Sequence, residues 1–95
     1  MKEKEARELL KELFERHNVP WIPTLFHPKP ITTKENIVTD LGGALTVKNI
    51  IMGTFHVMTD ICWFEFYGLP SATTVRHEFR HYLEHLGVEY IRKKG

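Results

Sequence analysis

Residues 71–86 read Ser-Ala-Thr-Thr-Val-Arg-His-Glu-Phe-Arg-His-Tyr-Leu-Glu-His-Leu. Wound into a helix at about 100° per residue, Val75, Phe79, Tyr82, Leu83 and Leu86 gather on one side. His77 and His81 fall on the opposite side. Ser71 offers a cap at the start, and Gly87 reads as the terminating residue at the end. Such a helix buries its apolar side on a sheet and turns both imidazoles toward a cleft. A histidine that only fills a core would sit among the apolar residues instead.

Outward from this helix, the chain supplies the partners it needs. Ala6, Leu9, Leu10, Leu13, Phe14 and His17 recur at helical spacing, so a first amphipathic helix is expected from about Lys2 to His17. Glu3–Arg7, Lys11–Glu15 and Glu12–Arg16 lace its outer face, and Asn18 and Pro20 end it. Between the helices lie strand-like segments at Trp21–Phe26, Ala44–Val47, Ile50–Met58 and Ile61–Tyr67, with turns at Asp40-Leu-Gly-Gly and Thr59-Asp60. Their short connections favour a mostly antiparallel sheet of three or four strands. The expected fold class is α+β: a backing helix, a small sheet, the histidine helix and a short C-terminal tail, in a single domain over residues 1–95.

Composition narrows the function. The 95 residues are 42% hydrophobic and 26% charged, which is ordinary for a globular domain. A net charge of +1 gives no electrostatic case for nucleic acid, and the basic residues Arg76, Arg80, Arg92, Lys93 and Lys94 are offset by acids. No apolar run approaches the roughly 20 residues of a membrane span. The N-terminal stretch lacks a signal-type apolar segment, and Cys62 is the only cysteine, so a reducing cytoplasm is expected. The absence of glutamine and the scarcity of asparagine hint at a heat-loving source.

His77-Glu78-Phe79-Arg80-His81 is an H-E-x-x-H string. Residues four apart on a helix stand one turn apart on nearly the same face, so two imidazoles can converge on one zinc ion. The intervening Glu78 can then accept a proton from water and later act as an acid toward a leaving amine. Zinc-dependent hydrolysis of peptide bonds, with a peptide or protein substrate, is therefore the leading expectation. The alternative is a catalytically silent zinc-bound scaffold, or regulatory module, that binds peptides.

Thr74–Leu83 resembles the active-site helix of zincin metallopeptidases, and the order of helix, sheet and H-E-x-x-H helix is similar to the upper half of a gluzincin domain. A chain of this size most resembles the minigluzincins, minimal scaffolds of this kind from thermophilic prokaryotes. The resemblance implies His77 and His81 as zinc ligands, Glu78 as the catalytic carboxylate, and an edge strand along the cleft that pairs with extended substrate. Ile61–Tyr67 or Ile50–Met58 would be that edge. Zincin helices prefer uncharged residues between the ligands, and Arg80 departs from that preference.

A catalytic zinc usually has a third protein ligand. Glu89 comes within reach if Gly87 reverses the chain, because two extended residues span about 6.6 Å and the side chain adds several more. His85 matches the spacing but lies two turns from His77, about 12 Å along a straight helix. His56, on a strand, is the other alternative, ahead of His27 and His17. Tyr90 or His85 could stabilise an oxyanion. Alternation in Val88–Gly95 suggests an extended tail that occupies the cleft and keeps the enzyme latent, a property the resemblance also implies.

Overall fold

The computed structural model describes the backbone of residues 1–38 and 44–94 and the side chains of residues 1–32 and 50–87. It is an α+β fold of two helices and a small, mostly antiparallel sheet system. Helix α1 (Glu3–His17) is followed by β1 (Thr24–His27), β2 (Ile31–Val38), β3 (Ala44–Ile51), β4 (Gly53–Val57), β5 (Cys62–Tyr67) and helix α2 (Ala72–Lys94).

The α1 stripe behaves as its spacing demands: Ala6, Leu10, Leu13 and Phe14 are buried. The helix closes through Asn18 in the left-handed region (φ 50°), whose N–H bonds to the Glu15 carbonyl at 3.3 Å. Asn tolerates this conformation better than most side chains. Arg7–Glu3 and Arg16–Glu12 pair on the exposed face at 3.5 and 2.7 Å, contacts that contribute only a few tenths of a kcal/mol each, by the usual order of magnitude.

Strands β1, β5 and β4 form one sheet in that order, and β2 with β3 forms a separate antiparallel hairpin. The antiparallel expectation describes β4–β5 and β2–β3, whose connections are short. It fails for β1 and β5, which run parallel with Thr24 opposite Phe64. Three strands lie between them in sequence, ample chain for a crossover. Two further corrections concern the strands. The segment Ile31–Val38, not expected as a strand, is β2, and the run Ile50–Met58 is divided at Met52 between β3 and β4. The Asp40-Leu-Gly-Gly turn lies outside the described residues.

Side-chain alternation along β5 sends Phe64 and Phe66, both fully buried, toward the helices, and Trp63, Glu65 and Tyr67 to the other face. Val75, Phe79 and Tyr82 of α2 complete the core, with Leu83 and Leu86 partly buried at its margin. Phe14 meets the Phe79 ring edge-on at 5.4 Å, and Tyr82 stands perpendicular to Phe64 at 6.0 Å. The Tyr82 hydroxyl donates to the Pro20 carbonyl at 2.6 Å, so this buried ring satisfies its polar end.

The C-terminal expectation is overturned. Gly87 does not end α2, which runs on to Lys94, so there is neither a chain reversal nor an extended tail. An interior glycine weakens a helix by about 1 kcal/mol relative to alanine but does not break it. The following Val-Glu-Tyr-Ile-Arg-Lys-Lys contains good helix formers, with cations where the helix dipole favours them. No helix among the described residues is long and apolar enough to cross a membrane.

Candidate metal centre

The first turn of α2 is fixed by Ser71, whose Oγ accepts the Thr74 N–H at 3.1 Å. Val75, Phe79 and Tyr82 then lock the rotation of the helix by filling the core. That rotation leaves the His77 and His81 side chains 64% and 46% exposed. Their Nε2 atoms lie 3.1 Å apart and their rings stand at 89° to each other. Without a metal this is hydrogen-bond distance, one ring donating to the other. Two nitrogens on one tetrahedral zinc are separated by roughly 3.3–3.4 Å, given Zn–N bonds of about 2.0–2.1 Å. The pair is thus within a few tenths of an ångström of the spacing that an ion requires.

Glu78 behaves differently from its neighbours. Its side chain is only 9% exposed, and its Oε1 lies 3.9 Å from His77 Nε2. On the helix it falls three residues after Val75 and four before Tyr82, along the border of the core face. Ligand atoms of His77, Glu78 and His81 all lie within 4.8 Å of one another, so the group could hold a metal ion. Two converging imidazoles with a carboxylate beside them are the chemistry of a borderline divalent metal such as zinc.

A cleft of about 1260 Å³ opens beside this group. Glu78, His81, Glu84 and His85 form its helical wall; Gly53, Phe55 and Val57 of β4, with the β4–β5 turn, form the other. β4 is an edge of its sheet, whereas β5 is interior, so of the two candidate strands β4 is the one at an edge. Arg80, the departure from the zincin pattern, pairs with Glu84 at 3.3 Å and so brings little uncompensated charge. The other Glu84 oxygen lies 3.6 Å from His81 Nδ1, too long for a hydrogen bond but within ion-pair reach.

The remaining candidates do not join the metal group. His85 lines the cleft, 5.9 Å from the Phe55 ring, but is not among the gathered ligands. His56 alternates with Phe55 and therefore projects from the opposite face of the sheet. There its Nε2 is 2.7 Å from Thr54 Oγ1 and 2.7 Å from Glu65 Oε2, and its ring stacks on Trp63. His27 approaches the other Glu65 oxygen at 2.9 Å from β1. The hydrogen bond from His27 is the main cause that holds the Glu65 carboxyl below its ordinary range; burial opposes it, and the hydrogen bond from Trp63 with the charges of His56 and His27 adds to the lowering. His17 lies at the end of α1, 5.4 Å from the Phe79 ring. The side chains of Glu89 and Tyr90 are outside the described residues, but the reversal at Gly87 that would return Glu89 toward the metal is not formed. Along a continuous helix Glu89 is eight residues from His81, about 12 Å of axial rise.

Two features escaped the reading of the sequence. One is the burial of Glu78, which its spacing from Val75 and Tyr82 does signal. The other is the role of Glu65 between two histidines, which only strand pairing reveals. Compared with known proteins, the chain matches no family model, no curated protein and no solved structure.

Proposed function

We propose that this chain is a zinc-dependent peptidase that hydrolyses peptide bonds. The observation that supports it most is the pairing of two exposed imidazoles, 3.1 Å apart, with a nearly buried carboxylate on the same helix turn, beside a cleft bounded by a sheet edge. His77 and His81 would hold the ion. When bound, zinc supplies the Lewis acidity that makes water a competent nucleophile near neutral pH. Glu78 takes a proton from the attacking water and delivers one to the departing amine. The β4 edge offers unpaired backbone groups to an extended peptide. The cleft exceeds the roughly 300–1,000 Å³ of ordinary small-molecule pockets, as a polymeric substrate would need. His85, which lines the cleft wall, would be a candidate to stabilise an oxyanion, with Tyr90 the alternative. Cys62, a free thiol, fits a cytoplasmic location.

A second reading has its own observation. Among the described residues no third imidazole or second carboxylate joins the group, as a zinc-bound scaffold that binds peptides without cleaving them would allow. A fluorogenic peptide assay on wild type and Glu78→Ala, with zinc measured in both, separates the two. Equal zinc with turnover lost only in the variant supports the peptidase; absence of turnover in zinc-loaded wild type supports the scaffold.

A further inference from the structure

We infer that Gly53 is a positioning residue for Glu78: the missing side chain at the start of β4 is the space in which the Glu78 stem lies. The inference rests on the peptidase reading for its catalytic consequence, but the seat itself is a matter of packing.

A Cβ added at Gly53 would lie 3.0 Å from Phe66 Cδ1, 3.0 Å from Thr74 Cγ2 and 3.1 Å from Glu78 Cγ. Each is closer than ordinary van der Waals contact between carbons, about 3.5–4.0 Å. Conformation is not why glycine stands here, since Gly68, not Gly53, is the glycine with positive φ among the described residues. The reason is room.

The three neighbours differ in how far they can yield. Phe66 is fully buried and opposite Gly53 in the β4–β5 register, with Phe64 and Phe26 packed on its ring. Thr74 is held by Ser71, whose Oγ accepts its N–H and lies 3.1 Å from its hydroxyl. Glu78 alone has a long flexible stem with an open cleft beside it. The contact with Glu78 is the one that side-chain rotation relieves, so a methyl group at position 53 displaces Glu78 toward the cleft, while the contacts with Phe66 and Thr74 are left to strain the seam between β4 and α2. His77 and His81, on the exposed side of α2, keep their spacing. The general base moves and the metal ligands do not.

The test uses the full chain loaded with zinc, and the same chain without metal in NMR. In wild type, Gly53 α-protons and the Phe66 ring should show nuclear Overhauser contacts to the Glu78 γ-protons. Gly53→Ala should lose the ring contact, lower kcat at least tenfold, and leave KM and zinc affinity within twofold. Gly53→Ala/Thr74→Ser, which removes one of the 3.0 Å contacts while keeping the hydroxyl, should regain part of kcat, and it replaces the single variant if that one fails to fold. Unchanged kcat, a parallel loss of zinc, retained Glu78 contacts in the variant, or unfolding of both variants each overturns the inference. Absence of the contact in wild type does so by itself. If wild type cleaves no peptide, the peptidase reading fails, and the NMR contacts alone decide whether Gly53 seats Glu78.

Discussion

The Nε2 atoms of His77 and His81 lie 3.1 Å apart on one side of α2, while Phe79, between them in sequence, is buried on the other. This division makes metal binding and core packing separable by mutation. Zinc should be bound by wild type and lost from His77→Ala or His81→Ala, because a single remaining imidazole leaves too few donors. Elemental analysis after dialysis measures this directly. Full zinc occupancy in either variant would place the ion elsewhere.

Stability should show the opposite pattern. Phe79→Ala removes a ring packed against Phe14, Phe64 and Tyr82, and should cost about 3–5 kcal/mol. His77→Ala in metal-free protein should cost little, since its side chain is largely exposed. Denaturant melts of the two variants give the comparison, and a larger loss for His77→Ala would mean that α2 is rotated in solution.

Both predictions draw on what the sequence makes legible. The period of Val75, Phe79 and Tyr82 assigns the core face of α2, and the four-residue spacing assigns the ligands. The stripe through Ala6, Leu10 and Phe14 does the same for α1. These signals are local, so no tertiary knowledge is needed to read them. Non-local facts are different. The parallel pairing of Thr24 with Phe64 joins segments far apart in sequence, and no local pattern encodes a partner. The break at Met52 lies inside one β-branched and aromatic run that reads as a single strand. Gly87 shows a third kind of limit: glycine signals a helix end only when its backbone turns left-handed, and composition alone does not say whether it will.

Glu65 should make the protein sensitive to acid. His27 is the main cause of its lowered pKa, with Trp63 and His56 contributing. A carboxyl whose folded pKa lies below its unfolded value of about 4.3 stabilises the fold above that value. The contribution fades as pH falls through the lower, folded pKa. Glu65→Gln keeps the shape but not the charge, so wild type should exceed it in stability at pH 6, and the excess should shrink as the pH falls below the ordinary carboxylate range. Melts across this range test the sign, and a constant difference would remove Glu65 from the acid response.

Gly87→Ala distinguishes a helix interior from a helix end. A terminating glycine holds positive φ, where alanine is strained and destabilises the fold. Gly87 instead lies within α2, is not among the positive-φ glycines, and has no atom within 4 Å of an added Cβ. Alanine there meets no clash and restricts the unfolded chain, so it should stabilise the protein by about 0.5–1 kcal/mol. For a domain of this size that is a rise in Tm of roughly 2–8 °C. The gain should be accompanied by stronger helical ellipticity, because the segment after Gly87 continues α2. A fall in Tm with lost ellipticity would restore the chain reversal at Gly87, and with it Glu89 as a ligand within reach of the metal.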